Sequence, residues 1–210
     1  MTARVHPTDW EGRAHWHKGW LDAARHVHSP NVGPRPPHTP VELVVVHSIS
    51  LPPGQYGGDA IERLFTNRLD WREHPYYATI QGAQVSAHFL IRRDGELVQF
   101  VSVDERAWHA GASSWDGRDN CNDYSLGIEL EGLEGQTFEP AQYAALAALV
   151  RSAARHYPLR AIVGHEHIAP GRKSDPGCGF DWKTLIDTLN WPLPCYPPQV
   201  IAGLRDLQRG

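Results

Sequence analysis

Thirteen histidines against three cysteines make imidazole the group in which metal or proton chemistry is to be sought in this 210-residue chain. Two of them share a setting. His47 closes the apolar run Glu42-Leu43-Val44-Val45-Val46, His165 follows the apolar run from Arg160 to Gly164, and each opens an irregular loop. Ligand sites of open α/β sheets form beyond the carboxyl ends of strands. Two neutral imidazoles delivered there, with one carboxylate from the loop after His165, make three ligands of a tetrahedral zinc ion and leave a fourth position for water. Glu166, Asp175 and Asp181 are the candidates for that carboxylate, and His167 competes with His165 because it lies two residues away on the same strand face. No HExxH is present, so this is not a helix-borne zinc protease site. Cys121, Cys178 and Cys195 are odd in number and in no CxxC spacing, which excludes a disulfide framework and a thiolate zinc site.

The elements that must carry these residues follow from periodicity. Residues 42–47 are apolar on both alternating faces, as in a strand buried on both sides and ending at His47. In Tyr124–Glu131, Leu126, Ile128 and Leu130 point one way and Gly127, Glu129 and Glu131 the other. Glu129 therefore faces away from the apolar packing, and Glu131 further along is expected to be structural. Arg93-Asp94-Gly95 between Ser86–Arg92 and Glu96–Val101 predicts a hairpin. Pro140 at a helix N1 position, followed by Tyr143, Leu146, Ala147 and Val150, predicts a helix to about His156. Shorter helices are expected over Gly19–Val27, from a capping box of Asp59 and Glu62 to Asn67, and over Asp181–Asn190. Arg160–Gly164 reads as a short buried strand and His165–Gly177 as a loop. The sum is a single α/β domain over residues 19–190, a mixed β-sheet flanked by helices. Residues 1–18 are read as an extension outside the core and 191–210 as a Pro-rich tail.

Composition narrows the function classes. A net charge of −4 with pI near 6.3 offers no basic stripe for nucleic acid, which also argues against a His-rich metal nuclease. The longest apolar run, Ala144 to Val150, falls far short of the roughly 18 residues of a membrane span. The first residues show no charged segment leading into an apolar one, so a cytoplasmic protein is expected. Nothing in the pattern calls for assembly, and a monomer is expected.

The loop His165-Glu166-His167-Ile168-Ala169-Pro170-Gly171-Arg172-Lys173-Ser174-Asp175-Pro176-Gly177 resembles the zinc-site loop of the AmpD-type N-acetylmuramoyl-L-alanine amidases, whose fold is shared with peptidoglycan-recognition proteins. Val44–Gly54, Arg106-Ala107-Trp108-His109-Ala110-Gly111 and Cys121–Gly132 match in the same order, and the resemblance runs from about Gly19 to Trp182. It implies that His47, His165 and Asp175 are zinc ligands, Glu129 the general base and Lys173 the partner of the developing oxyanion. It further implies substrate contacts from Trp108, His109 and Ala110, and Arg172 beside Lys173 is suited to grip a substrate carboxylate. The implied reaction is hydrolysis of the amide between (1,6-anhydro-)N-acetylmuramic acid and L-alanine, in cytoplasmic recycling of muropeptides. A non-catalytic muropeptide binder has no need to keep Glu129 and Lys173 together with all three ligands, and action on intact peptidoglycan is the alternative within the enzyme class. Ser48 stands where family members often carry Asn, and Gln84 and Asn120 where some carry Arg. An amide cannot make the charge-assisted fork of an arginine, which puts the stem-peptide preference in question.

Overall fold

Val44 and Val46 point to one side of a six-stranded sheet while Leu43, Val45 and His47 point to the other, and this alternation sets the whole arrangement. A computed structural model describes residues 10–192 and 195–207 of the chain. The sheet strands are β1 (Arg25–His26), β2 (Leu43–Ile49), β3 (Phe89–Ile91), β4 (Leu97–Gln99), β5 (Ser125–Glu131) and β6 (Ala161–Gly164). Their spatial order is β6-β2-β5-β3-β4-β1. All neighbours run parallel except the hairpin pair β3–β4. β2 and β5 lie side by side in the centre, so their residues are buried on both faces, and β2 extends past His47 to Ile49.

One face packs on α3 (Pro140–Ala153) and α5 (Trp182–Leu189), with Leu126, Ile128 and Leu130 meeting Leu146, Leu149 and Val150. Each such side chain contributes about 1.5–3 kcal/mol on burial. Gln142 fastens the start of α3 to the sheet, its Nε2 donating to the carbonyls of Ile91 and Glu131. The opposite face carries α1 (Ala60–Phe65) and α2 (Pro75–Thr79), and α1 packs over Leu90, Val98 and Phe100. α4 (His165–Ile168) is a single turn straight after β6, and α6 (Pro198–Leu207) follows α5. No helix among the described residues is long and apolar enough to cross a membrane.

Several expectations are corrected. Gly19–Val27 is not a helix: Trp20–Leu21 pairs with Trp16–His17, and β1 joins the sheet edge through Val98 and Gln99. Residues 1–9 lie outside the described residues, but 10–18 are not outside the core, because Trp16 packs on Phe89 and Tyr157 and donates its Nε1–H to Ser152 Oγ at 3.0 Å. The segment after Trp191 is no bare tail, since Tyr196 is buried and Ile201 of α6 packs on the same core. The capping box does not form: the Asp59 carboxylate accepts from Arg63 Nε, and the Glu62 carboxylate is held by Arg25 and Arg92.

Candidate active site

Parallel pairing of β5 with β2 sets Glu129 directly beside His47, and pairing of β6 with β2 brings Gly164 level with Val46. His165 therefore enters one residue past the strand end, where α4 turns it back over β2. Asp175 returns from the following loop, with its carbonyl accepting the Glu166 N–H at 2.9 Å. His47 Nδ1 lies 3.0 Å from His165 Nδ1 and 3.0 Å from Asp175 Oδ2, and His165 Nδ1 lies 3.1 Å from that same oxygen. All three residues are buried.

This convergence selects among the sequence candidates. His167 turns away, its Nδ1 accepting the Gly164 N–H and its ring resting on Trp182. Asp181 caps α5 by accepting the Thr184 N–H, and Glu166 stays outside the cluster with its carboxyl raised to about 7 by burial and by the charges of Asp175 and Glu134.

The outer nitrogens decide what the cluster can hold. His165 Nε2 sits 3.1 Å from the Ala110 carbonyl, which can only accept, so Nε2 is the nitrogen that donates there and Nδ1 is the one turned to the cluster. Arg172 Nη2 lies 3.5 Å from that nitrogen, too far to compete. Burial, only partly offset by Asp175, lowers His47 to about 4, so the ring is neutral, the form in which imidazole binds metal. A buried carboxylate and two imidazole nitrogens thus converge on one point, the donor set that a divalent ion takes. Tetrahedral ligands at 2.0–2.1 Å stand about 3.3 Å apart, so donors at 3.0–3.1 Å are set for a small ion such as zinc. These side chains fit the group.

Glu129 lines the adjoining cavity, and its Oε2 is buried with no hydrogen-bond partner among the described residues. Burial first, then the charge of Asp175, raises its proton affinity well above the ordinary carboxyl range, against the pull of Lys173. Lys173 is exposed at the cavity edge, its backbone N–H donating to the Ala169 carbonyl. The cavity holds about 350 Å³, and its wall leads away from the cluster over His109, Trp108, Val85, Ile80 and Tyr76. The sequence-expected contacts divide here. Trp108 and His109 line the cavity, whereas Ala110 and Arg172 lie behind it: Arg172 Nη2 donates to the carbonyls of Ala110 and Ala112, each at 2.6 Å.

Some residues escaped sequence reasoning. The Asn122 Oδ1 accepts the N–H groups of both His109 and Ala110, at 3.0 and 2.8 Å, and Ser125 Oγ touches His109 Nε2. Both belong to the Cys121–Gly132 motif, yet only the fold shows what they face. Tyr76 and Ile80 come from and just after α2, for which no pattern was read.

The profile of the N-acetylmuramoyl-L-alanine amidase family matches residues 37–178. A 1,6-anhydro-N-acetylmuramyl-L-alanine amidase of Salmonella typhimurium is 53% identical over 167 residues, covering 79% of this chain and 89% of the relative. The crystal structure of an AmpD derivative superposes with a TM-score of 0.81 at 50% identity, covering 83% of this chain and 99% of that one. The amidase AmiD from E. coli, in complex with anhydro-N-acetylmuramic acid-L-Ala-D-gamma-Glu-L-Lys, superposes with a TM-score of 0.52 at 29% identity, over 83% of this chain and 65% of that one.

Proposed function

Because the chain belongs to the N-acetylmuramoyl-L-alanine amidase family, we propose that it hydrolyses the amide joining 1,6-anhydro-N-acetylmuramic acid to the L-alanine of a stem peptide, with zinc held by His47, His165 and Asp175. One observation carries the reading: three buried nitrogen and oxygen donors converge beside a cavity that also holds a buried carboxylate oxygen with no hydrogen-bond partner among the described residues.

Bound there, zinc supplies a Lewis acid and brings the pKa of water towards neutrality. Glu129 takes the proton of the attacking water at Oε2. As the water oxygen bonds to the carbonyl carbon and the C–N bond breaks, Glu129 returns that proton to the alanine nitrogen, so the products are a carboxylic acid and an amine. Its raised proton affinity suits a group that must both accept and give back. The Lys173 ammonium meets the negative charge that the carbonyl oxygen gains only near the transition state, which is where binding raises rate. Trp108 and Ile80 give the wall against which apolar faces of sugar and peptide can lie. Gln84 and Asn120 are exposed and do not line the cavity, while Ala83 and Val85 on either side of Gln84 do.

The anhydro sugar in the relative's name supports a soluble wall-turnover fragment as substrate, and we place the reaction in cytoplasmic recycling. Incubation with soluble anhydro-muropeptide and, separately, with intact sacculi tests this by product mass. Release of the free peptide and anhydro-N-acetylmuramic acid from the soluble substrate is expected. Cleavage of sacculi alone would move the enzyme to the intact wall, and binding without cleavage would make the protein a muropeptide binder.

A further inference from the structure

His109 lines the cavity, yet none of its hydrogen-bonding nitrogens is free for a substrate. Its ring Nδ1 lies 2.9 Å from His47 Nε2, its Nε2 lies 3.1 Å from Ser125 Oγ, and its backbone N–H donates to Asn122 Oδ1. The ring stands edge-on to His47, with centroids 5.0 Å apart and planes at 83°. β5 makes room for it. A Cβ at Gly127 would lie 2.5 Å from the His109 ring atoms, closer than any real contact, so the ring fills the space of the side chain that this strand lacks.

We propose that His109 is a positioning residue of the metal centre, fixing the ring plane and the tautomer of His47; the inference rests on the zinc reading above. For His47 Nδ1 to offer its lone pair, its proton must sit on Nε2, where His109 Nδ1 accepts it. The His109 proton is then on Nε2 and points to Ser125 Oγ, so both hydrogen bonds run outward from the metal position. His165 is oriented in the same way by the carbonyl of the next residue, Ala110, which Arg172 holds at 2.6 Å. Two consecutive residues thus orient the two metal histidines, and Asn122 clamps the backbone of both. Through Nη2, Arg172 thus supports the carbonyl that orients His165.

The test is zinc affinity, measured by competition with a chromogenic chelator, for the native protein and for His109→Phe, His109→Gln and Gly127→Ala. Loss of an outer partner of a metal-bound histidine costs about 10–100-fold in affinity. His109→Phe should show that loss, Gly127→Ala should approach it by displacing the ring, and His109→Gln should recover part of it because its amide oxygen can accept from His47. The thermal midpoint of the zinc-free protein should change little in His109→Gln, and its KM at saturating zinc should stay native. Native zinc affinity in both His109 variants, or a raised KM with native zinc affinity, would overturn the proposal and return His109 to substrate binding or packing. Should His109→Phe fail to fold, His109→Gln and Gly127→Ala decide alone. Absence of zinc binding by the native protein would overturn the zinc reading itself, a result separate from any difference among the variants.

Discussion

Glu129 and Glu131 are the same residue on the same face of the same strand, separated by about 7 Å of backbone at 3.3–3.4 Å per residue. Both are buried. Glu131 is saturated: Arg92 Nη1 donates to it at 3.0 Å, and the backbone N–H groups of Gly57 and Arg93 at 2.7 and 3.3 Å. Among the described residues Glu129 has no ion pair, and its Oε2 has no hydrogen-bond partner beside the histidine cluster. The difference lies in what each end of β5 meets. At the hairpin end, the Arg92 guanidinium and two backbone N–H groups lock the carboxylate in place; beside the histidine cluster, burial and the neighbouring Asp175 raise the proton affinity of Glu129. A carboxylate tied down by three donors stabilises structure, and one left open beside the cluster can do acid–base work.

The comparison can be broken at several points. The largest effect belongs to His47→Ala, which removes a donor and should bring turnover of anhydro-muropeptide down to background. Next, Glu129→Gln, nearly isosteric, should keep the fold while losing about 10²–10⁴-fold in turnover, the usual worth of a general base. A loss below tenfold would take the proton transfer away from Glu129 and make Glu131 the group to examine. Lys173→Ala should lower kcat by about 10²–10³-fold with KM nearly unchanged. An effect on KM alone, confined to charged stem peptides, would reduce Lys173 to attracting an anion. Smallest in turnover is Glu131→Gln, which should leave kcat native and instead cost about 1–3 kcal/mol in denaturant unfolding, because the buried Arg92 loses one of its carboxylates.

Much of this contrast is legible in the sequence. Alternation alone turns Glu129 and Glu131 away from Leu126, Ile128 and Leu130, and the β-branched run before His47 marks a central strand. What alternation cannot give is register across strands. That Glu129 sits beside His47, and that Glu131 is met by Arg92, depends on pairings between segments 82 and 39 residues apart. The same limit hid the edge strand Arg25–His26, whose partners are Val98 and Gln99, and the burial of Trp16 against α3. Local patterns that compete with distant partners also mislead: Glu62 reads as half of a capping box, but Arg25 and Arg92 are stronger partners than a helix N–H. The apolar run to Gly164 marks His165 as the residue at a strand end, whereas the helical turn that separates it from His167 has too few residues to leave a period.

Zinc content per chain, measured on native protein, Glu129→Gln and His47→Ala purified side by side, tests the division of labour most directly. The account predicts one zinc per chain in the native protein, one in Glu129→Gln, and a small fraction of that in His47→Ala. Full occupancy in His47→Ala, or loss of zinc in Glu129→Gln, would contradict it.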